Sequence, residues 1–192
     1  MKIICIGRNY IDHIKELSNQ KPLNPVVFLK PDSSIIAKNQ NFIIPSFSNE
    51  IHHEVELVIK INKVGKHIDK SFSHKYYEEI GLGIDFTARD IQNNLKQKGH
   101  PWEKSKAFDN SCMVGNFLKK EKLEDISKIE FSLKKNNEIV QSGCSNDMLW
   151  KIDELISYVS QYFTLKIGDL IFTGTPSGVS KVESGDILEG YI

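Results

Sequence analysis

Glu54 and Glu56 stand one residue apart in Ile51-His-His-Glu-Val-Glu-Leu-Val-Ile-Lys-Ile61, and a lone Asp85 follows in the apolar stretch Ile80-Gly-Leu-Gly-Ile-Asp-Phe86. On a strand, alternate side chains share a face, so Val55, Leu57, Ile59 and Ile61 form one apolar face while Glu54 and Glu56 point together to the other. Two same-face carboxylates repel. A hard divalent cation relieves that repulsion because Mg²⁺, Mn²⁺ and Ca²⁺ favour carboxylate oxygens, and Asp85 from a neighbouring strand completes an oxygen-rich triad. The same spacing also describes the wet face of an ordinary amphipathic strand, so the motif alone leaves both readings open. His52 and His53 precede the pair and could join a metal site, but His53 has the parity of the apolar face and His52 stands ahead of the carboxylates, so each is a weak candidate ligand.

Other residues carry chemistry at helical spacing. His13 and Glu16 are three apart, so one face of a helix brings them together, and a carboxylate beside an imidazole orients it as a base. Arg89 and Gln92 repeat that spacing just beyond Asp85, where a guanidinium and an amide can grip a carboxylate or 2-oxo acid. Lys104 and Lys106, in Pro101-Trp-Glu-Lys-Ser-Lys-Ala-Phe-Asp109, offer a cation for a developing enolate. Thr173-Gly-Thr-Pro-Ser-Gly178 exposes backbone N–H groups and hydroxyls in a turn, a cradle for a carboxylate. It lacks the Lys-Ser/Thr pair of a phosphate-binding P-loop. Each of these, taken singly, is equally a surface pair, a helix cap or a turn.

The elements that must position them are mostly short strands. The pattern predicts strands over 2–7, 26–30, 35–36, 42–44, 54–61, 80–86 and 168–173, with a last one near Gly185–Gly190. Segments 128–135 and 137–142 alternate around Asn136-Asn137 and predict a hairpin. Helices are predicted over Arg8–Leu17, Ser73–Glu79, a segment capped by Thr87 with Asp90 in its first turn, and Leu149–Phe163 with Ile152, Leu155, Ile156, Val159 and Phe163 on one face. Many strands and few helices give an α+β, β-dominated fold in one domain, residues 1–192.

Twenty-five basic and 25 acidic residues cancel in a chain of 192. That balance argues against nucleic acid or an anionic membrane as a partner. Cys5, Cys112 and Cys144 are odd in number and widely spaced, which points to neither a disulfide framework nor a zinc site and fits a reducing cytoplasm. Arg8 and Asn9 interrupt the N-terminal apolar run before a signal-peptide core forms, and nothing approaches the ~18 apolar residues of a membrane span.

In order along the chain, Gly7-Arg-Asn-Tyr10, His13/Glu16, Phe28-Leu-Lys-Pro31, His53-Glu-Val-Glu-Leu57, Gly83-Ile-Asp-Phe-Thr-Ala-Arg-Asp90, Lys106-Ala-Phe-Asp109 and Thr173-Gly-Thr-Pro176 resemble the fumarylacetoacetate hydrolase family, above all its small single-domain members. The resemblance implies a mixed β-sandwich or roll, a homodimer, and Mg²⁺ or Mn²⁺ held by Glu54, Glu56 and Asp85. It places His13 and Glu16 on a short N-terminal lid helix, in a segment of about 9–25, and puts Lys106, Arg89, Gln92 and Thr175 against a 2-oxo acid. Relatives continue beyond Gly185-Asp-Ile-Leu-Glu-Gly190 through another short strand, so an exposed sheet edge is expected here. The activity implied first is hydrolysis of a C–C bond in acylpyruvate-type 2,4-dioxo acids, with a metal stabilising the enolate and His13, oriented by Glu16, activating water. The alternatives are oxaloacetate keto–enol tautomerisation or decarboxylation and isomerisation of an unsaturated dicarboxylic acid. A non-catalytic binding protein with a structural cation is the remaining one.

Overall fold

The computed structural model describes residues 1–192. Its strands are β1 (Ile3–Gly7), β2 (Val26–Lys30), β3 (Ile51–His53), β4 (Val55–Ile61), β5 (Tyr77–Asp85), β6 (Thr87–Ala88), β7 (Cys112–Lys119), β8 (Glu130–Lys135), β9 (Glu138–Cys144), β10 (Leu170–Phe172), β11 (Ser180–Lys181) and β12 (Leu188–Tyr191). The helices are α1 (Ile11–Glu16), α2 (Arg89–Gln97), α3 (Glu103–Lys106) and α4 (Ile152–Tyr162). Six strands form the central sheet in the order β2-β1-β10-β4-β5-β7, antiparallel except where β1 runs parallel to β10. Two three-stranded sheets, β11-β3-β6 and β12-β8-β9, pack beside it. The β-dominated α+β class expected from the strand count is the class observed.

Alternation along β4 explains its central place. Val55, Leu57, Ile59 and Ile61 enter the main core with Phe131 and Leu133 of β8 and with Ile152, Leu155, Ile156 and Val159 of α4. The opposite face is not wet. Val58 there joins Ile3, Cys5, Cys112, Leu170 and Phe172 in a second apolar cluster. The sheet is therefore buried on both sides, and any carboxylate on β4 has been taken out of water.

Several local expectations gave way to tertiary pairing. Residues 73–79 do not form a helix: a 3₁₀ turn at Lys70–Lys75 leads into β5, where Tyr77 pairs with Ile61 and Glu79 with Lys60. A weak helical pattern lost to a completed ladder. Residues 42–44 form no strand; Phe42 instead stacks on Phe86 with ring centroids 3.8 Å apart. Ile35 makes only a single bridge to Cys112. Thr87 does not cap α2, because it lies in β6 opposite His52, and the cap position falls to Ala88. The Asn136-Asn137 hairpin forms as expected, with both residues in the left-handed region at φ 53° and 71°. β12 pairs only with β8 and forms the outer strand of its sheet. No helix is long and apolar enough to cross a membrane.

Candidate metal centre and active site

Glu54 lies between β3 and β4, Glu56 is on β4, and Asp85 ends β5, so the antiparallel β4–β5 ladder brings all three together. The Asp85 N–H donates to the Glu54 carbonyl at 2.8 Å, and Glu56 lies opposite Gly83. Only glycine fits there. A Cβ on Gly83 would fall 2.6 Å from the Phe172 ring and 2.8 Å from the Met113 carbonyl oxygen. One oxygen of each carboxylate comes within 4.8 Å of the other two, and all three residues are buried.

Buried carboxylates need compensation, and two of the three have it. Glu54 accepts from Arg89 and, at 2.7 Å, from Lys106 Nζ; Asp85 pairs with Lys106 Nζ at 2.7 Å and with Lys30 Nζ at 2.8 Å. Lys106 also donates to the Thr87 hydroxyl at 2.6 Å, and Lys30 donates to the Ser111 hydroxyl at 2.9 Å and to the Lys106 carbonyl. Glu56 has no cation; it accepts the Gly174 N–H at 2.7 Å. Gly174 presents that N–H from φ 105°, with Asn9 packed so close that a Cβ would lie 2.7 Å from it.

The charge states follow. Burial would raise the Glu54 pKa, but Lys106 and Arg89 outweigh it and hold the carboxyl well below its usual range. Burial also opposes the charge on Lys106, and Asp85 and Glu54 overcome it, leaving an ammonium. For Glu56, burial and the negative charges of Asp85 and Glu54 act together and push its pKa well above the usual carboxylate value. A carboxyl whose charge is opposed by burial and by two carboxylate neighbours, in an all-oxygen set, is the chemistry a hard divalent cation answers. The donor set fits such an ion.

A cavity beside the triad is lined by His13, Glu54, Glu56, Asp85, Arg89, Gln92, Lys106 and Thr175, eight of the nine residues to which the family resemblance gives a role. The ninth, Glu16, holds His13: its Oε2 lies 3.1 Å from His13 Nδ1, and its Oε1 accepts the Gly178 N–H at 2.8 Å. Burial works against the Glu16 carboxylate, but these two hydrogen bonds prevail and lower its pKa. Arg89 Nη1 donates to Gln92 Oε1 at 2.6 Å, the i, i+3 contact that the spacing predicts. Of the two lysines proposed near an enolate, Lys106 is buried and Lys104 is exposed. His53 turns away from the triad, its Nδ1 facing Gln141 at 2.9 Å, and His52 Nδ1 lies 3.4 Å from Arg89 Nε.

Among the other lining residues, Arg8, Lys96 and Trp102 are given no role by sequence reasoning. Arg8 and Lys96 place their charges 5.9 and 5.3 Å from the Trp102 ring centroid and have no carboxylate partner. Arg8 is a non-glycine residue at φ 59°, in the left-handed region that a bulky side chain seldom adopts. Burial and the charges of Arg89 and Arg8 lower the Lys96 pKa to about 8. Lys30, which sequence reading placed at a strand end, also proved to be a buried partner of Asp85.

The family described as fumarylacetoacetate (FAA) hydrolase C-terminal matches residues 2–192. The chain belongs to this family. Among the relatives of this FAA hydrolase family protein, oxaloacetate tautomerase YcgM of Escherichia coli (strain K12) is 42% identical over 188 residues, covering 97% of this chain and 86% of YcgM. The mitochondrial oxaloacetate decarboxylase of Dictyostelium discoideum is 42% identical over 189 residues, covering 98% and 87%. The crystal structure of fumarylpyruvate hydrolase from Pseudomonas aeruginosa, in complex with Mn²⁺ and pyruvate, superposes with a TM-score of 0.93 at 32% identity, covering all of this chain and 84% of that one. The hydrolase and the tautomerase or decarboxylase readings both have counterparts among these family members.

The state of Glu56 gives a pH dependence. An acid whose folded pKa is raised binds more protons folded than unfolded, so its contribution makes the metal-free protein less stable as pH rises above the usual carboxylate pKa. Metal-free Glu56→Gln is expected to melt about 2–4 °C above the metal-free parent at about pH 8, with the gap shrinking toward about pH 5. The same variant should lose the rise in melting temperature that Mn²⁺ gives the parent. Equal melting temperatures across that range, or an undiminished response to Mn²⁺, would place the ion elsewhere.

Proposed function

We propose that the chain is a divalent-metal-dependent enzyme of 2-oxo dicarboxylates whose leading reaction is keto–enol interconversion of oxaloacetate. The observation that carries this reading is the charge lining the cavity. Arg8, Arg89, Lys96 and Lys106 face three carboxylates there, and a divalent ion enlarges the positive excess, which a dianionic substrate neutralises. The 42% identity to an oxaloacetate tautomerase and to an oxaloacetate decarboxylase supports it further.

Glu54, Glu56 and Asp85 would hold the ion, Mg²⁺ or Mn²⁺. Bound there, it supplies Lewis-acid polarisation of the 1-carboxylate and 2-oxo oxygens and so acidifies the hydrogens on C3. Arg89 has three of its five N–H groups engaged by Glu54, Gln92 and His52, leaving two for a carboxylate. Gln92 fixes the Arg89 fork, Lys106 places an ammonium beside the oxygens that gain charge, and Thr175 offers a hydroxyl. Glu16, an acceptor, keeps the hydrogen of His13 on Nδ1, so Nε2 is the basic nitrogen; it takes a proton from C3, which returns to the 2-oxo oxygen.

The second reading is C–C hydrolysis of an acylpyruvate, favoured by the same dyad, since a histidine oriented by a carboxylate equally deprotonates water. With Mg²⁺ or Mn²⁺, the protein is expected to speed interconversion of the oxaloacetate tautomers, followed by enol absorbance. His13→Ala should lower kcat by ~10²-fold or more while leaving Mn²⁺ affinity unchanged. Pyruvate release from an acylpyruvate without faster oxaloacetate tautomerisation would reverse the order of the two readings.

The cavity has a free volume of about 30 Å³, room for roughly two waters and too little for a four-carbon diacid. Substrate entry therefore requires a segment to move, and residues 9–25 are the proposed lid: α1 closes the cavity through His13 and is latched by Glu16 to Gly178, while Leu23 beyond it is 95% exposed. Amide exchange over 11–25 should be faster than in β4 and β5 and should slow when Mn²⁺ and oxalate are added. Full protection of that segment before ligand is added would count against a lid.

The reading includes a homodimer. Ile43 and Ile187 are exposed at 79% and 65%, on an apolar groove also lined by Phe42, Ile84, Met113 and Leu188. Light scattering should give twice the 21.9 kDa chain mass, and a monomer mass throughout a micromolar dilution series would exclude it.

A further inference from the structure

Gln141 sits on β9, outside the cavity, and is buried. Its amide makes four hydrogen bonds, and two of the partners fix which end is oxygen. The Val55 backbone N–H can only donate and lies 3.0 Å from Oε1; the Pro176 carbonyl can only accept and lies 3.0 Å from Nε2. With the amide so oriented, His53 Nδ1, 2.9 Å from Oε1, carries its hydrogen, and His53 Nε2 accepts from the Ser180 hydroxyl at 2.8 Å. Burial lowers the His53 pKa, in keeping with a neutral ring.

The remaining hydrogen on Nε2 meets Thr175 Oγ1 at 2.8 Å, so that oxygen accepts. A hydroxyl that accepts from an amide still has its own hydrogen to give. The acceptor the protein offers it is the Pro176 carbonyl at 3.5 Å, the outer limit of a hydrogen bond, whereas Thr175 itself lines the cavity. Val55, held by the same amide, is the residue between Glu54 and Glu56.

We infer that Gln141 is a positioning residue: it holds the Thr175 hydroxyl as a hydrogen-bond donor toward an anionic ligand oxygen in the cavity and ties it to the strand that carries Glu54 and Glu56. This rests on the reading that a 2-oxo acid binds there. The donor exists because the amide gives its hydrogen to Oγ1. A carboxylate at position 141 would accept from Thr175 instead and turn the hydroxyl hydrogen away from the ligand.

The test is calorimetric, with Mn²⁺ alone and then oxalate on the Mn²⁺-loaded protein, for the parent, Gln141→Glu, Thr175→Val and the double variant. Gln141→Glu and Thr175→Val should each weaken oxalate about tenfold, the usual scale for one hydrogen bond to a charged group. The double variant should bind oxalate no more weakly than Thr175→Val, and Mn²⁺ affinity should stay within about twofold throughout. If Gln141→Glu does not fold, Gln141→Met, which lacks the donor and bears no charge, takes its place with the same expectation of non-additivity. Losses that add in the double variant, oxalate affinity unchanged by substitution at 141, or Mn²⁺ and oxalate affinities that fall together would overturn the inference. A parent that binds Mn²⁺ and not oxalate would overturn the functional reading before any variant is compared, and the inference with it.

Discussion

Three carboxylates buried within one small volume repel one another, and the fold is organised around keeping them there. Bulk water screens them little, since all three are buried and apolar clusters lie on both faces of the sheet. Compensation comes from Lys30 at the end of β2, Arg89 at the start of α2 and Lys106 at the end of α3. None of these cations is near the carboxylates in sequence, apart from Arg89, four residues past Asp85. Glu54 and Asp85 each have two of these cations and share Lys106, so removing any one leaves the buried cluster short of a positive charge, which is why such clusters are strict about geometry where surface ion pairs are lax.

The compensation is uneven, and the unevenness is what makes the cluster a site. Glu54 and Asp85 are matched by cations, whereas Glu56 has a single backbone N–H and two carboxylate neighbours. A cluster balanced at every carboxylate would only staple strands together. Leaving one carboxylate without a cation reserves a place for an external one, and the cation-rich wall beyond it, Arg8 and Lys96 around Trp102, stands ready for an anion in turn. The loop Thr173–Gly178 serves three parts of this arrangement at once: Gly174 holds Glu56, Thr175 faces the cavity and Gly178 latches Glu16.

Much of this was legible in the chain. Periodicity gave most strands of the central sheet, though not β7 (Cys112–Lys119), together with α4 and the Asn136-Asn137 hairpin, and i, i+3 spacing gave the His13–Glu16 and Arg89–Gln92 contacts, because both signals are local. Ser73–Glu79 and 42–44 were misjudged for the complementary reason: whether those residues extend, turn or pair depends on a partner strand remote in sequence. Thr87 reads as a cap and turns out to be a strand residue whose hydroxyl accepts from Lys106. Arg8 and Lys30 stood inside quoted motifs but were given no role, and Lys96 gave no signal, since a buried cation and a surface cation are the same letter.

The sequence by itself determined which carboxylates could meet: strand alternation put Glu54 and Glu56 on one face, and the ordered motifs added Asp85 and the residues around it. Only the tertiary structure decided that this face is buried, that Glu56 is the carboxylate without a cation, and that Gln141, 85 residues beyond Glu56, donates to the Thr175 hydroxyl. The physical reason is the range of the forces. Strand alternation and helical spacing are properties of neighbouring residues, whereas desolvation and charge compensation depend on every segment that packs around a group, and those segments meet only in the folded chain.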